Sequence, residues 1–448
     1  MKRRILATVI VGVLAWANVV PAHAEQRFIA RPTVLWLLNP AQVIGGVCRL
    51  LGCTVRYALD GQLGQVFLVT RPDGGDPIAF LALLLSNVGI QDAELDHVVR
   101  TAGGNAASPP PALLDTELVP FYGSEVRRGY VEQPADGILG ISAAHARYRL
   151  TGAGITVAVI DSGIDPTHPA LARVVLQGYD FTRNREGGSE LGDVDQSTVA
   201  ALDQSTVASL DTTGWVNQST IACLDQSTVA ALDTPEYAAF GHGTLVAGVV
   251  HRTAPEAAIL PLKAFRANGS GYLSDVLRAM YYAADKRAKV VNMSFDFDDS
   301  SHELERAIRH LHAKKIVTVA AAGNDGQRLV VYPAGLSNVI GVASTTDVDT
   351  IASFSNFGPE VAWIAAPGEG IVSTYPFGAY AAAWGTSFST PFAAGAAALL
   401  AQLDSRITAR QAVDAEGQAV WISADIMRGR LALPAAIEAW RRTINASR

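Results

Sequence analysis

Cysteine is scarce in this chain: Cys48, Cys53 and Cys223 are the only three in 448 residues. That excludes a disulfide framework, although a local Cys48 to Cys53 bridge stays open, with Cys223 left over. Basic charge is also in deficit. Lys and Arg number 35 against 42 Asp and Glu, a formal net charge of -7, which argues against nucleic acid as a partner. No H-E-x-x-H run occurs; "HELER" at 302 does not complete one, which disfavours a metalloprotease. Hydrophobic residues are plentiful at 49%, enough for a large core, so the chain is neither disordered nor fibrous. One large domain with a smaller companion is expected.

Residues 1–24 join Lys2, Arg3 and Arg4 to an apolar run and then to Ala22-His23-Ala24, the small-x-small pattern of a signal-peptidase site. The run from Ile5 to Val20 is short for a membrane span of about 20 residues. Cleavage after Ala24 is expected, giving a secreted or periplasmic protein with no membrane partner afterwards. It removes three basic residues and no acidic ones, taking the formal charge to -10.

From residue 25 to 100 short strand and helix patterns alternate: "TVLWLL", "AQVIGGVCRLLG", "TVRYAL", "QVFLVT", "PIAFLALLLSNVG" and "ELDHVV". They predict a small α+β unit of βαββαβ order. Residues 101–120 are rich in Pro, Gly and Ala and read as a linker. In residues 121–448, uniformly apolar strands recur with helices between them: "ITVAVI", "AILPLKAF", "KVVNMS", "IVTVAAA" and "NVIGVAS". Strands without polar alternation are buried on both faces, which predicts an α/β domain with a mainly parallel sheet flanked by helices. Such sheets bind ligands beyond the carboxyl ends of their strands.

An insertion over 184–238 breaks this alternation. Four octamers stand in two tandem pairs, "DQSTVAALDQSTVASLD" from Asp195 and "NQSTIACLDQSTVAALD" from Asn217. An eight-residue period matches neither a heptad nor a common solenoid unit. A lid or adhesive surface is one reading; the other, preferred here, is a duplication tolerated in an exposed loop.

Chemistry-bearing residues sit where the sheet rule points. "DSGID" puts Asp161 at a strand end, where it could orient a histidine. "FGHGTLVAGVV" sets His242 between two glycines, which allow close approach. "KVVNMSFD" ends in Ser294, Phe295 and Asp296, an extended edge a peptide could use. "AAAGNDG" supplies Gly323, Asn324 and Asp325, with the Asn324 amide a suitable donor to a developing oxyanion. "GTSFSTPFAAGAAALL" places Ser387 at the start of an alanine-rich helix. Taken singly, each residue has an ordinary structural reading as a turn former, a cap or a core histidine. Their convergence on one face of one sheet is what points to catalysis.

These motifs, in the order Asp, His, Asn, Ser, resemble those of the subtilisin-like serine proteases, as do "LPLKAF", "YPA", "SFSNFG" and "APGEGIVS". The resemblance covers about residues 120–440. It implies a serine endopeptidase acting on peptide or protein substrates through an acyl-enzyme. Ser387 would be the nucleophile, His242 the base and acid, and Asp161 its orienting group. Asn324 and the Ser387 N-H would form the oxyanion hole. Ser294, Phe295, Asp296, Gly323 and Asp325 would bind substrate. By pattern and position the βαββαβ unit resembles the family's inhibitory prosegment.

Several positions depart from the family. Ser389 replaces an alanine, Phe392 a histidine, and Ala238 the acid that usually precedes "GHGT". The segment after the histidine helix is too short for the calcium loop of many relatives, so no metal or cofactor is expected, and a monomer is expected. Pro391 is expected to be tolerated as part of the first helical turn. An α/β-hydrolase esterase is a weaker reading, because "GTSFS" lacks the closing glycine of G-x-S-x-G. A catalytically silent binding protein on the same fold is the rival from another class.

Overall fold

The structure, a computed structural model, describes residues 25–34, 38–72, 75–100, 109–194, 221–223, 235–417 and 420–446. The signal-like segment, residues 101–108 of the linker and all but three residues of the octamer segment lie outside them. The chain divides into two compact units, one formed by residues up to Tyr57 together with Val66–Leu95, the other by Ala58–Gln65 and everything from Asp96 onward.

In the first unit, β1 (Gln26–Pro32), α1 (Pro40–Leu51), β2 (Thr54–Ala58), β3 (Phe67–Arg71), α2 (Pro77–Leu85) and β4 (Ile90–Leu95) follow in βαββαβ order. The sheet runs β2-β3-β1-β4. Asn39 starts α1 by accepting from the Gln42 N-H at 2.8 Å, while the Gln42 side chain accepts from the Asn39 N-H, a reciprocal cap worth about 1 kcal/mol. A disulfide joins Cys48 to Cys53 just past the Gly52 cap of that helix. The first described strand is "QRFIARP": Phe28, Ile29 and Ala30 are buried, and their flanking arginines and Pro32 mask the strand in the sequence, while residues 35–37 of "TVLWLL" lie outside the described residues. "ELDHVV" is likewise divided between β4 and β5 (Val98–Arg100).

The second unit holds an eight-stranded sheet among the described residues. Its strands are β6 (Thr156–Asp161), β7 (Tyr179–Asp180), β8 (Arg185–Glu186), β10 (Ala258–Lys263), β12 (Val290–Met293), β13 (Val317–Ala321), β14 (Val339–Thr345) and β15 (Ile364–Pro367). They run in the order β8-β7-β10-β6-β12-β13-β14-β15, parallel except for β8 on β7. Residues Val157 to Ile160, Val290 to Met293 and Val317 to Ala321 are buried throughout, as a sheet covered on both faces requires. The covering helices include α3 (His242–Thr253), α4 (Leu273–Asp285), α5 (His302–Ala313) and α6 (Thr386–Leu403).

Among the described residues three smaller sheets complete the unit, one of them the hairpin of Leu118–Phe121 with Ser124–Arg127. β9 (Ile221–Cys223), within the octamer segment, pairs with β17 (Ala379–Ala383), which pairs with β16 (Ile371–Tyr375). β5 pairs antiparallel with β11 (Ser270–Tyr272), and the Asp96 carboxylate accepts from the Ser274 N-H and hydroxyl, both at 2.8 Å, at the start of α4.

Candidate active site

Asp161 is the last residue of β6, and the β6-β12-β13 neighbours put residues 294 and 324 beyond the same end of the sheet. The Asp161 carboxylate accepts from His242 Nδ1 and from the Ser162 N-H, both at 2.7 Å. His242 opens α3 and is only 2% exposed. Both glycines beside it are required. At Gly243 a Cβ would meet the Gly163 carbonyl oxygen at 2.1 Å, and Gly241 has φ +85° with the Tyr375 ring 2.1 Å from a would-be Cβ. With Nδ1 committed to Asp161, His242 Nε2 is buried without a partner. Its ring lies 5.3 Å from that of Phe388, the residue after Ser387.

Ser387 lies in the first turn of α6, which begins at Thr386, and its hydroxyl donates to the Ser294 carbonyl at 3.1 Å. Ser294 Oγ donates in return to the Ser387 carbonyl at 2.8 Å. Pro391 explains this second bond and corrects the expectation about it. The proline lies beyond the first turn, so the N-H it lacks is the one that would have bonded the carbonyl four residues back, that of Ser387. Ser294 satisfies that carbonyl and ties the end of β12 to the serine. Ser389 bonds the Pro367 carbonyl and Ser344 Oγ, and Phe392 is buried in the core, so both departures are accommodated.

Asn324 Oδ1 accepts from the Thr386 N-H at 2.8 Å and its hydroxyl at 3.0 Å. These bonds fix the amide and leave Nδ2, which is buried, without a partner. The structure thus links Asp161 to His242, Ser294 to Ser387 and Asn324 to Thr386 at this end of the sheet, with His242 Nε2 and Asn324 Nδ2 both unpartnered. Asp296 and Asp325 flank them, and burial, followed by the Asp325 and Asp298 charges, pushes the Asp296 carboxyl up to about 7.

Sequence reasoning missed Glu190. It is fully buried and accepts from the Gly241 N-H at 2.7 Å, from Ser162 Oγ at 3.2 Å, and from the Thr244 hydroxyl. A buried carboxyl group therefore braces the loops of both Asp161 and His242, although the acid before "GHGT" is missing at Ala238. The only signal was "GGSEL", an acid among small residues 52 positions upstream of His242. Lys263 was also missed: its buried Nζ donates to Asp193 at 2.7 Å and to the carbonyls of Ser162 and Phe265.

Burial raises the Glu190 carboxyl to about 8. The folded protein then holds a proton between about pH 4.5 and 8 that the unfolded chain has released, so this group's contribution to stability falls as pH rises through that window. Glu190→Gln is expected to flatten that part of the pH-stability curve, by on the order of 2–4 kcal/mol across the window. Glu190→Ala, which strands three donors, is expected to lower stability at every pH. Thermal unfolding from pH 4.5 to 8.5 checks both; parallel curves for wild type and Gln would refute the assignment.

An imidazole oriented by a carboxylate, with its ring 5.3 Å from that of the residue after Ser387, lies at the carboxyl ends of a parallel sheet, the subtilisin-like architecture. Residues 152–428 match the model of the subtilase family. Relatives include a thermophilic serine proteinase of Bacillus sp. (strain AK1), 38% identical over 58% of this chain and 56% of its own length. Thermitase of Thermoactinomyces vulgaris is 35% identical over 56% of this chain and 76% of its own, and subtilisin Savinase of Lederbergia lenta 33% over 59% and 83%. This chain thus spans little more than half the length of the first of these. The chain belongs to the subtilase family of serine proteases.

Proposed function

We propose that the protein is an exported serine endopeptidase whose acyl-enzyme chemistry runs on Asp161, His242 and Ser387. The observation that carries this reading is the His242 ring, held by Asp161 through Nδ1 with Nε2 left unpartnered beside the first turn of α6. Rotation about the Ser387 Cα-Cβ bond moves its hydroxyl from the Ser294 carbonyl to Nε2. Oγ then attacks the peptide carbonyl carbon and its proton passes to Nε2, giving an imidazolium that Asp161 stabilises. The oxyanion that forms takes hydrogen bonds from Asn324 Nδ2 and the Ser387 N-H, at a helix N-terminus whose dipole favours negative charge. His242 returns the proton to the leaving amine, and water repeats the sequence to release the acid.

The N-terminal unit is read as a prosegment that inhibits the enzyme intramolecularly. What supports it is the order of the first unit, βαββαβ ahead of the Pro-rich residues 109–111, the pattern and position the family resemblance assigns to an inhibitory prosegment. Export rests on residues 1–24 and accords with the Cys48–Cys53 disulfide. Among the described residues no helix is long and apolar enough to cross a membrane.

A fluorophosphonate probe applied to the exported protein is expected to label Ser387 alone, and intact mass is expected to show an N-terminus within or after residues 101–120. A folded, processed chain that takes no label would instead be the silent binding protein.

A further inference from the structure

β12 and β13 hydrogen-bond through the Met293 and Ala320 pair, and their registered pairing ends there. Beyond it the two segments bracket Ser387. Ser294 exchanges hydrogen bonds with Ser387 on one side, and Asn324 holds Thr386 on the other. A substrate carbonyl carbon bonded to Ser387 Oγ, with its oxygen toward Asn324 Nδ2, has its own side chain starting between these two segments. Each bears an acid within two residues of the group that touches the α6 turn: Asp296 follows Ser294, and Asp325 follows Asn324.

The two acids are held differently. The Asp325 carboxylate accepts from Asn356 Nδ2 at 2.9 Å, and its N-H donates to Asn356 Oδ1 at 3.0 Å, so its position is fixed while it remains exposed. Asp296 Oδ2 is buried and has no hydrogen-bond partner. The charges felt at that carboxyl are those of Asp325 and Asp298, both negative. A buried carboxylate oxygen without a donor or counterion is costly, and protonation only partly relieves it. A cation arriving in the gap would supply what Asp296 lacks, and a guanidinium can bond two oxygens at once.

We propose that Asp296, with Asp325 across the gap, selects lysine or arginine as the residue preceding the cut bond. The inference rests on the protease reading above. An apolar side chain entering the gap would cover the carboxylate without pairing it, whereas a lysine or arginine pairs with it and releases its proton.

The test uses the processed enzyme and peptides that differ only at that residue: arginine, its neutral isostere citrulline, lysine and leucine. The arginine to citrulline ratio of kcat/KM is expected to be about 30-fold in wild type at pH 8 and low salt. It should rise with pH through about 7, as the carboxyl ionises, and shrink in high salt. A ratio taken at one pH cancels every pH effect common to the two peptides. In Asp296→Asn the ratio should collapse to about 3-fold or less, with the pH dependence lost, and Asp325→Asn should lower it partway. Brisk hydrolysis of both peptides at a ratio near one, unmoved by pH or salt in wild type, would overturn the selection and leave the protease reading standing. No hydrolysis of any peptide by a processed chain would overturn both.

Discussion

Ser387→Ala is expected to lower peptide hydrolysis by roughly 10⁴- to 10⁶-fold while leaving a folded protein. The substitution removes one oxygen from a fully buried site and creates almost no cavity. Its structural cost is the loss of one hydrogen bond to the Ser294 carbonyl, about 1 kcal/mol. The tie in the other direction, from Ser294 Oγ to the Ser387 carbonyl, uses backbone and survives. If the chain matures by its own activity, the variant accumulates with residues 25–120 attached. Kinetics on a short peptide, thermal unfolding and intact mass check the three parts. Turnover within tenfold of wild type would remove the nucleophile assignment, and a fully processed variant would show that another protease makes the cut.

Asn324 carries the second large effect, and two substitutions separate its two jobs. Its Oδ1 organises the first turn of α6 through the Thr386 N-H and hydroxyl, while Nδ2 points to no partner in the structure. Asn324→Asp keeps the acceptor and replaces the donor with a second acceptor. It is expected to preserve the fold but to lower kcat by more than about 1000-fold, because a carboxylate faces the oxyanion. Asn324→Ala removes both functions. It is expected to lower kcat about 100- to 1000-fold with a smaller change in KM, together with a modest fall in thermal stability from the stranded Thr386 N-H. Equal kcat in wild type and Asp variant would exclude a role for Nδ2 in the transition state.

The five apolar strand runs that open the sheet's core were legible because burial on both faces leaves an uninterrupted apolar signature. β15 was not: "IAAP" is four residues long and ends in proline. The β16-β17 hairpin was hidden because "AYAAA" has the composition of a helix, and tertiary packing overrides that preference. Asp161, His242, Asn324 and Ser387 were readable because each sits in a local motif. Glu190 and Lys263 act across the fold, 52 and 102 positions from the histidine and from Asp161 respectively, so "GGSEL" and "LPLKAF" show the residues but not the loops they reach.

Glu190 also bears on the entry of the insertion. The last described turn before the octamers is anchored on both flanks: Glu190 to the His242 and Asp161 loops, and Asp193 to Lys263 and Arg183. The first repeat starts two residues later, at Asp195. A stem held so near its root joins the entry of the insertion to the same loops that carry Asp161 and His242, so a substitution at Glu190 or Asp193 reaches the imidazole and the insertion together.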